Sequence, residues 1–311
     1  MEKLIIILGP TGIGKTTFAI KLAQKFNGEI VGADSMQIYK YMNIGTAKPE
    51  PAETELVPHH LIDFLDPKEE FDAGQYIEEA DKAIKKIVSL NMIPIIAGGT
   101  GLYIKALQNG LFRCEPISKE ILARLEQDLE LKGSQALYQQ LKEWDPIAAD
   151  KIHPNDSFRI IRALEVFIRS GKKISDYQQK HQFKDSRYQS LKIGLYLDRE
   201  ELYDRINKRV DLMISRGLLN EVASLLEKGY SLNLKSMQSI GYKHMGMYIK
   251  NEVDFEEAVR LLKRDTRRYA KRQMTWFRKD PDIVWLTPLE MQESEEIVNN
   301  FLAHVMFQAS E

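Results

Sequence analysis

The chain has 311 residues, 43% apolar and 29% charged, with one cysteine, Cys114. At roughly 150 residues per domain this predicts two domains, or one core with a large insertion, and argues against a disordered chain. A lone cysteine excludes an internal disulfide framework and any Cys-cluster zinc site, and predicts a reducing, cytoplasmic setting. No apolar run approaches the roughly 20 residues that span a bilayer, and the first residues lack the pattern of a signal peptide, so no membrane partner is expected. The net charge of −1 excludes a globally basic nucleic-acid binder. The charge is uneven, however: residues 260–280 hold nine Lys or Arg against two Asp.

In chain order, Lys3–Leu8 is a short apolar run that reads as a buried strand. A Gly-rich turn, Gly9–Gly14, leads into a helix over Lys15–Phe26, with Phe18, Leu22 and Phe26 spaced by four. Glu29–Ala33 is a second strand, ending at Asp34. Ala73–Leu90 is an amphipathic helix with Tyr76, Ile77, Ala80, Ile84, Ile87 and Val88 on one stripe. Met92–Ala97 is a third strand, and Gly98-Gly99-Thr100-Gly101 turns it into another helix. This alternation predicts an α/β fold: a parallel sheet with right-handed crossovers, flanked by helices. Residues 112–190 show helical periodicity, with helices over Ser118–Leu131, Ser134–Trp144 and Asp156–Ser170, and read as an all-helical insertion. The core is then 1–111 with 191–311. In its second part Lys192–Leu197 and Ile283–Leu286 return to the sheet. Arg199–Ser215, Leu218–Lys228 and Asp254–Lys279 are helical, the last capped by Asp254 with Glu257 and stopped by Pro281.

Gly9-Pro10-Thr11-Gly12-Ile13-Gly14-Lys15-Thr16 fits G-x-x-x-x-G-K-[ST] between a strand and a helix, the P-loop pattern. Backbone N–H groups at a helix N-terminus cradle phosphate oxygens there. Lys15 adds a point charge, and the Thr16 hydroxyl can hold Mg²⁺. The motif marks a diphosphate or nucleotide polyphosphate site such as one for ATP, not a reaction. P-loop phosphotransferases place an acid after a further strand to hold Mg²⁺. Here the third strand ends in Gly98-Gly99-Thr100, and the nearest strand-terminal acid is Asp34. Its roles stay open between metal ligand, general base and a carboxylate that bonds its own turn.

Asp34-Ser35-Met36-Gln37-Ile38-Tyr39, Gly45-Thr46-Ala47-Lys48-Pro49 and Pro58-His59-His60-Leu61-Ile62-Asp63 together resemble the tRNA dimethylallyltransferase (tRNA isopentenyltransferase) family. So do Gly98–Tyr103, His153-Pro154-Asn155-Asp156 with the run Arg162–Val166, Ile240–Lys243 and Lys271–Arg278. These motifs span residues 9–278 in family order. The resemblance implies transfer of a dimethylallyl group from dimethylallyl diphosphate to N6 of the adenosine 3′ of the anticodon. The partners are then the donor and a tRNA anticodon stem-loop, the cofactor Mg²⁺, and one basic clasp per stem favours a monomer. No zinc-finger extension follows the basic helix, which points to the bacterial type. The chemistry agrees: P-loop amides, Lys15 and Thr16-bound Mg²⁺ neutralise the leaving diphosphate, and Asp34 takes the proton of a weakly nucleophilic amine.

The resemblance also places Thr100 beside the transferring group; the alternative is a helix N-cap after the Gly-Gly turn. Arg205 and Arg209 share a helix face, and Arg205 is the candidate for the diphosphate; the alternative is a solvated arginine pair in helix salt bridges. It assigns tRNA contacts to Asp34, Ser35, Met36 and Gln37; to Phe158, Arg159, Ile160, Ile161 and Arg162; to Gln238, Ser239, Ile240, Gly241, Tyr242 and Lys243; and to Lys271, Arg272, Gln273, Met274, Thr275, Trp276, Phe277 and Arg278. Met36, Leu122 and Lys243 stand where the family often carries Arg. Arg260, Arg264, Arg268 and Arg272 recur every four residues, a repulsive stripe that a polyanion would relieve. Trp276 and Phe277 are either stacking surfaces or core. The six histidines show no metal-ligand spacing. Three other functions remain open: prenylation of a free adenine nucleotide, a small-molecule kinase, and an RNA-binding module with a vestigial P-loop.

Overall fold

The computed structural model describes residues 1–112, 118–181 and 186–303. Cys114 and His304 lie outside them. Two compact units emerge, 1–108 with 187–311, and 109–186.

The first unit opens with β1 (Lys3–Leu8), α1 (Lys15–Lys25), β2 (Gly28–Ala33), α2 (Pro51–Leu56), β3 (His59–His60), α3 (Ala73–Ser89), β4 (Ile93–Gly98) and α4 (Gly101–Asn109). The second holds α5 (Lys119–Trp144), α6 (Pro146–Ala149), α7 (Ser157–Ser170) and α8 (Ile174–His181). The chain returns through β5 (Gln189–Leu195), α9 (Arg199–Ser215), α10 (Leu218–Glu227), α11 (Tyr242–Ile249), α12 (Phe255–Phe277), β6 (Ile283–Leu286) and α13 (Met291–Ala303).

The six strands among the described residues are all parallel, in the order β3-β2-β4-β1-β5-β6. Leu4 to Leu8 are at most 1% exposed, because central parallel strands are covered on both faces; this is why the run is apolar without alternation. The chain leaves β1 toward β2 on one side and leaves β4 toward β5 on the other. The strand ends at that switch point form the crevice where such sheets bind ligands. Register aligns them: Leu8 pairs with Gly98, and Gly98 with Ala33. The P-loop after Leu8, Asp34 after Ala33 and Thr100 after Gly98 therefore emerge at one edge.

The sequence missed several short or late elements. β3 has two residues, too few for a periodic signal, and α2, α6, α8 and α11 have four to eight. β5 begins at Gln189, three residues before the expected Lys192, held by the Gln189 N–H on Glu2 O at 3.0 Å. α13 was not foreseen; it buries Ser294 and Val298 against the sheet core, and the Lys3 ammonium at the start of β1 donates to its Phe301 and Leu302 carbonyls. In the second unit, α5 breaks at Gly133 (φ 79°), so it is two helices, as read from the sequence. Its core gathers Leu125, Leu137, Leu141, Ile160, Ile161 and Leu164.

Candidate active site

The P-loop is built from glycine geometry and one lysine. Gly12 (φ 82°) brings the backbone against α9, where a Cβ would lie 3.0 Å from Ile206 Cγ1. Ile13 anchors the loop in the core, so only its backbone faces a ligand. The Lys15 ammonium donates to Pro10 O at 2.9 Å, curling over the loop. Burial pushes its pKa down from 10.5 to about 8, with Asp34 opposing the shift and Arg209 adding to it.

Asp34 does two things. Its Oδ1 accepts the N–H groups of Met36 (2.9 Å) and Gln37 (3.3 Å), so it closes its own turn. Among the described residues, Oδ2 has no hydrogen-bond partner and is left for a ligand. Thr100 does not cap its helix: its Oγ1 accepts the Ser35 N–H at 3.0 Å and donates to Ser35 Oγ at 3.4 Å. The Thr100 N–H meets Ala33 O at 3.0 Å. Thr100 thus ties the β4 turn to the Asp34 turn. Tyr269 of α12, which the sequence analysis passed over, reaches the same hydroxyl; burial and then Asp34 raise its pKa.

Gln273 is the second surprise. It is not a surface contact for RNA but a buried clamp. Its Oε1 accepts the Thr11 N–H at 2.9 Å and its Nε2 donates to Gly99 O at 2.8 Å, joining the P-loop, the Gly-Gly turn and α12. A Cβ at Gly99 would sit 2.3 Å from Gln273 Nε2 and push the clamp aside. A signal for this face existed. Leu262, Thr266, Tyr269 and Gln273 are uncharged residues at helical spacing within a charged helix.

Two cavities meet at this centre. The larger, about 770 Å³, runs from Thr11–Thr17 past Asp34 and Gln37 to a polar end at Lys48, Asp63 and Arg216. The smaller, about 330 Å³, is lined by Ser35, Met36, Gly45, Gln238–Ile240, Thr266 and Arg272. Both are bordered by Thr11, Asp34, Thr46, Arg209, Met213 and Tyr269. Arg209 lies on this shared border with no ion-pair partner among the described residues; burial lowers its pKa and Asp34 counteracts that. Arg205, the arginine favoured by the sequence, instead pairs with Glu201 at 2.9 Å on the exposed side of α9 and lines neither cavity. The i, i+4 salt-bridge alternative holds for it.

No described group of three His, Cys, Asp or Glu forms a metal cage. The available donors, the Thr16 hydroxyl and the Asp34 carboxylate, suit Mg²⁺, which takes few protein oxygens and completes its shell with phosphate and water. His60 bonds Glu29 Oε2 at 2.6 Å, and His59 Nδ1 donates to Val57 O at 2.8 Å.

Several residues assigned to tRNA are buried. Ile160 and Ile161 fill the insertion core, and Tyr242 and Phe277 are packed in the first unit. Gly241 is buried beneath its own turn. Arg159 pairs with Asp156 and Arg162 with Glu165. Phe158 (72% exposed), Gln238, Lys271, Arg272, Thr275, Trp276 and Arg278 are at the surface. Trp276 also covers Gly101, where a Cβ would meet its ring at 2.3 Å. The basic stripe is partly relieved from within: Arg260 pairs with Glu257, and Asp265 lies against Arg264 (2.9 Å) and Arg268 (3.6 Å). The Arg264 guanidinium holds the Asp265 carboxyl down at about 2, against the cost of burial. Arg272 stands over the Tyr269 ring at 5.7 Å, at the smaller cavity. No described helix is long and apolar enough to cross a membrane.

This geometry has close counterparts. The IPP transferase family model matches residues 37–280. A tRNA dimethylallyltransferase of Desulfosudis oleivorans is 51% identical over 97% of this chain and 96% of its own length. The tRNA isopentenylpyrophosphate transferase structure of Bacillus halodurans aligns over 100% of both chains at 38% identity and a TM-score of 0.75. A eukaryotic dimethylallyltransferase acting on tRNA aligns over 98% of this chain and 80% of its own, at 32% identity and a TM-score of 0.84. With this agreement in sequence, fold and P-loop crevice, the chain belongs to the IPP transferase family, that of the tRNA dimethylallyltransferases.

Proposed function

We propose that the protein transfers a dimethylallyl group from dimethylallyl diphosphate to N6 of the adenosine 3′ of a tRNA anticodon, releasing diphosphate. The observation that carries this reading is the meeting of the two cavities at Asp34 and Arg209. A two-substrate transfer needs a donor chamber and an acceptor chamber with the reacting atoms at their junction.

The donor's diphosphate lies on the P-loop amides, with Lys15 and Arg209 supplying positive charge where the leaving group gains negative charge. The Thr16 hydroxyl would hold Mg²⁺, which would supply neutralising charge for the leaving group. Adenine enters the smaller cavity from the side of Ser35, Met36, Gln238 and Arg272. Its amine attacks C1 of the donor as the C1–O bond breaks, and the electron pair departs with diphosphate. Asp34 Oδ2 takes the N6 proton. Thr100 holds the Asp34 turn through Ser35, and Tyr269 lines the junction. The base leaves the anticodon stack to reach this point, at a cost of a few kcal/mol. Lys271, Arg272 and Arg278 at the surface of the first unit offer phosphate and base contacts that offset it. The reading places the enzyme in the cytoplasm, one monomer per anticodon stem.

The test is incubation with Mg²⁺, labelled dimethylallyl diphosphate, and either unmodified tRNA or AMP, followed by nucleoside mass analysis. Label in tRNA adenosine and none in AMP is expected. Label in AMP alone would keep the two-chamber chemistry and overturn the RNA acceptor. Label in neither, with γ-phosphate lost from ATP to a small acceptor, would replace the reading with a kinase.

A further inference from the structure

The Gly45–Pro49 and Ile240–Lys243 motifs line the two chambers only in part, and Tyr242 is too buried to touch RNA. A single carboxylate joins them. The backbone N–H groups of Asn43, Ile44 and Gly45 all donate to Glu221 of α10, at 2.9, 2.8 and 3.1 Å. The Tyr242 hydroxyl donates to the same carboxylate at 2.6 Å. Three successive N–H groups form a concavity for an anion, and here the anion is built into the chain. Bonds to a carboxylate are about twice as strong as neutral ones, so this turn is held firmly. Gly45 must approach closely: a Cβ there would sit 2.4 Å from the Tyr242 ring.

The turn in its turn holds Gln37. The Gln37 Nε2 donates to Thr46 O at 3.2 Å and Ala47 O at 3.0 Å. Both amide hydrogens are used, which leaves Oε1 as an acceptor on the wall of the larger cavity. The Gln37 backbone N–H donates to Asp34 Oδ1 at 3.3 Å, and both residues line the larger cavity.

We propose that Glu221 is a positioning residue for the transfer: by fixing the Asn43–Ala47 turn it holds the Gln37 side chain on the wall of the larger cavity that Asp34 also lines, at the junction where the amine meets the donor. The inference rests on the prenyl-transfer reading of the cavities. Glutamine at 221 has one acceptor oxygen and turns an NH₂ toward amides that need an acceptor, so the turn loosens and Gln37 loses its anchor. A misplacement of about 1 Å near a reacting centre costs on the order of 10²-fold.

The test combines Glu221→Gln, Gln37→Ala and the double variant, with steady-state kinetics on tRNA and amide hydrogen exchange over residues 43–47. Glu221→Gln should lower kcat/KM about 10²-fold, and the double variant should fall no further than the worse single variant, because the two act in series. Multiplying effects, or wild-type turnover in Glu221→Gln, overturn the proposal. Should Glu221→Gln fail to fold, Tyr242→Phe removes one of the four bonds. It should cost a few-fold in the wild type and nothing in the Gln37→Ala background, and an equal loss in both overturns the proposal. Faster exchange at 43–45 in Glu221→Gln is expected even if the wild type transfers no prenyl group. That separates failure of the positioning from failure of the function.

Discussion

Replacing Gln273 by leucine distinguishes a surface RNA contact from a clamp beneath the P-loop. Leucine keeps most of the volume and removes both hydrogen bonds. The Gly99 carbonyl is then buried without a donor, which costs about 1–3 kcal/mol. The Thr11 N–H also loses its acceptor, but cavity water can reach it, so its share is smaller, about 1 kcal/mol. The variant should be about 2–4 kcal/mol less stable, read as a lower denaturant midpoint at unchanged slope. With Thr11 unheld, the loop amides are no longer aimed. Donor KM should rise about tenfold, equivalent to roughly 1.4 kcal/mol, while tRNA affinity stays within about twofold. Denaturation with and without dimethylallyl diphosphate, alongside filter binding of tRNA, measures all three. Weakened tRNA binding with donor KM and stability intact would refute the clamp and restore the RNA-contact reading.

Other expectations follow from the same geometry. Arg209→Ala should raise donor KM and lower kcat by a combined factor on the order of 10², whereas Arg205→Ala, which breaks only a surface ion pair, should stay within a few-fold; steady-state kinetics separate them. Lys15 titrates near 8 in the free enzyme, and a bound diphosphate favours its charged form. Donor affinity should therefore be flat below that pH and fall as the pH rises through it, by up to about tenfold per unit; calorimetry between neutral and alkaline pH shows this, and a flat profile contradicts it. Arg272→Glu should weaken tRNA binding and flatten its salt slope, while Arg260→Ala, which removes an arginine that is paired with Glu257 and lines neither cavity, should change neither much.

The fold was legible where the chain is regular. β1, the P-loop and α1 carry a buried apolar run, turn glycines and a helical period in succession, and the basic helix announces itself by its cap and by Pro281. Short elements such as β3 carry no period to detect. The site was legible as motifs but not as geometry. Asp34, Thr100 and Lys15 meet because β1, β2 and β4 end in register, which no local pattern states. Arg205 and Arg209 differ by one turn on a helix, and only the packing of Ile206 behind Gly12 decides which one faces the crevice. Motif membership also hid the difference between touching a ligand and building its site: Gln273 and Tyr242 lie in motifs read as RNA contacts, yet both spend their hydrogen bonds inside the protein. The acids that quiet the basic stripe, Glu257 and Asp265, sit on the same helix and could have been paired with it from spacing alone.

The most direct test of the account is Asp34→Asn. The amide oxygen can still accept from Met36 and Gln37, so the turn and both chambers survive, and only the proton acceptor is lost. Single-turnover transfer to tRNA should fall by about 10²–10⁴-fold, with tRNA and donor dissociation constants nearly unchanged. Near-normal transfer by this variant would contradict the claim that the two cavities meet at the base of the reaction.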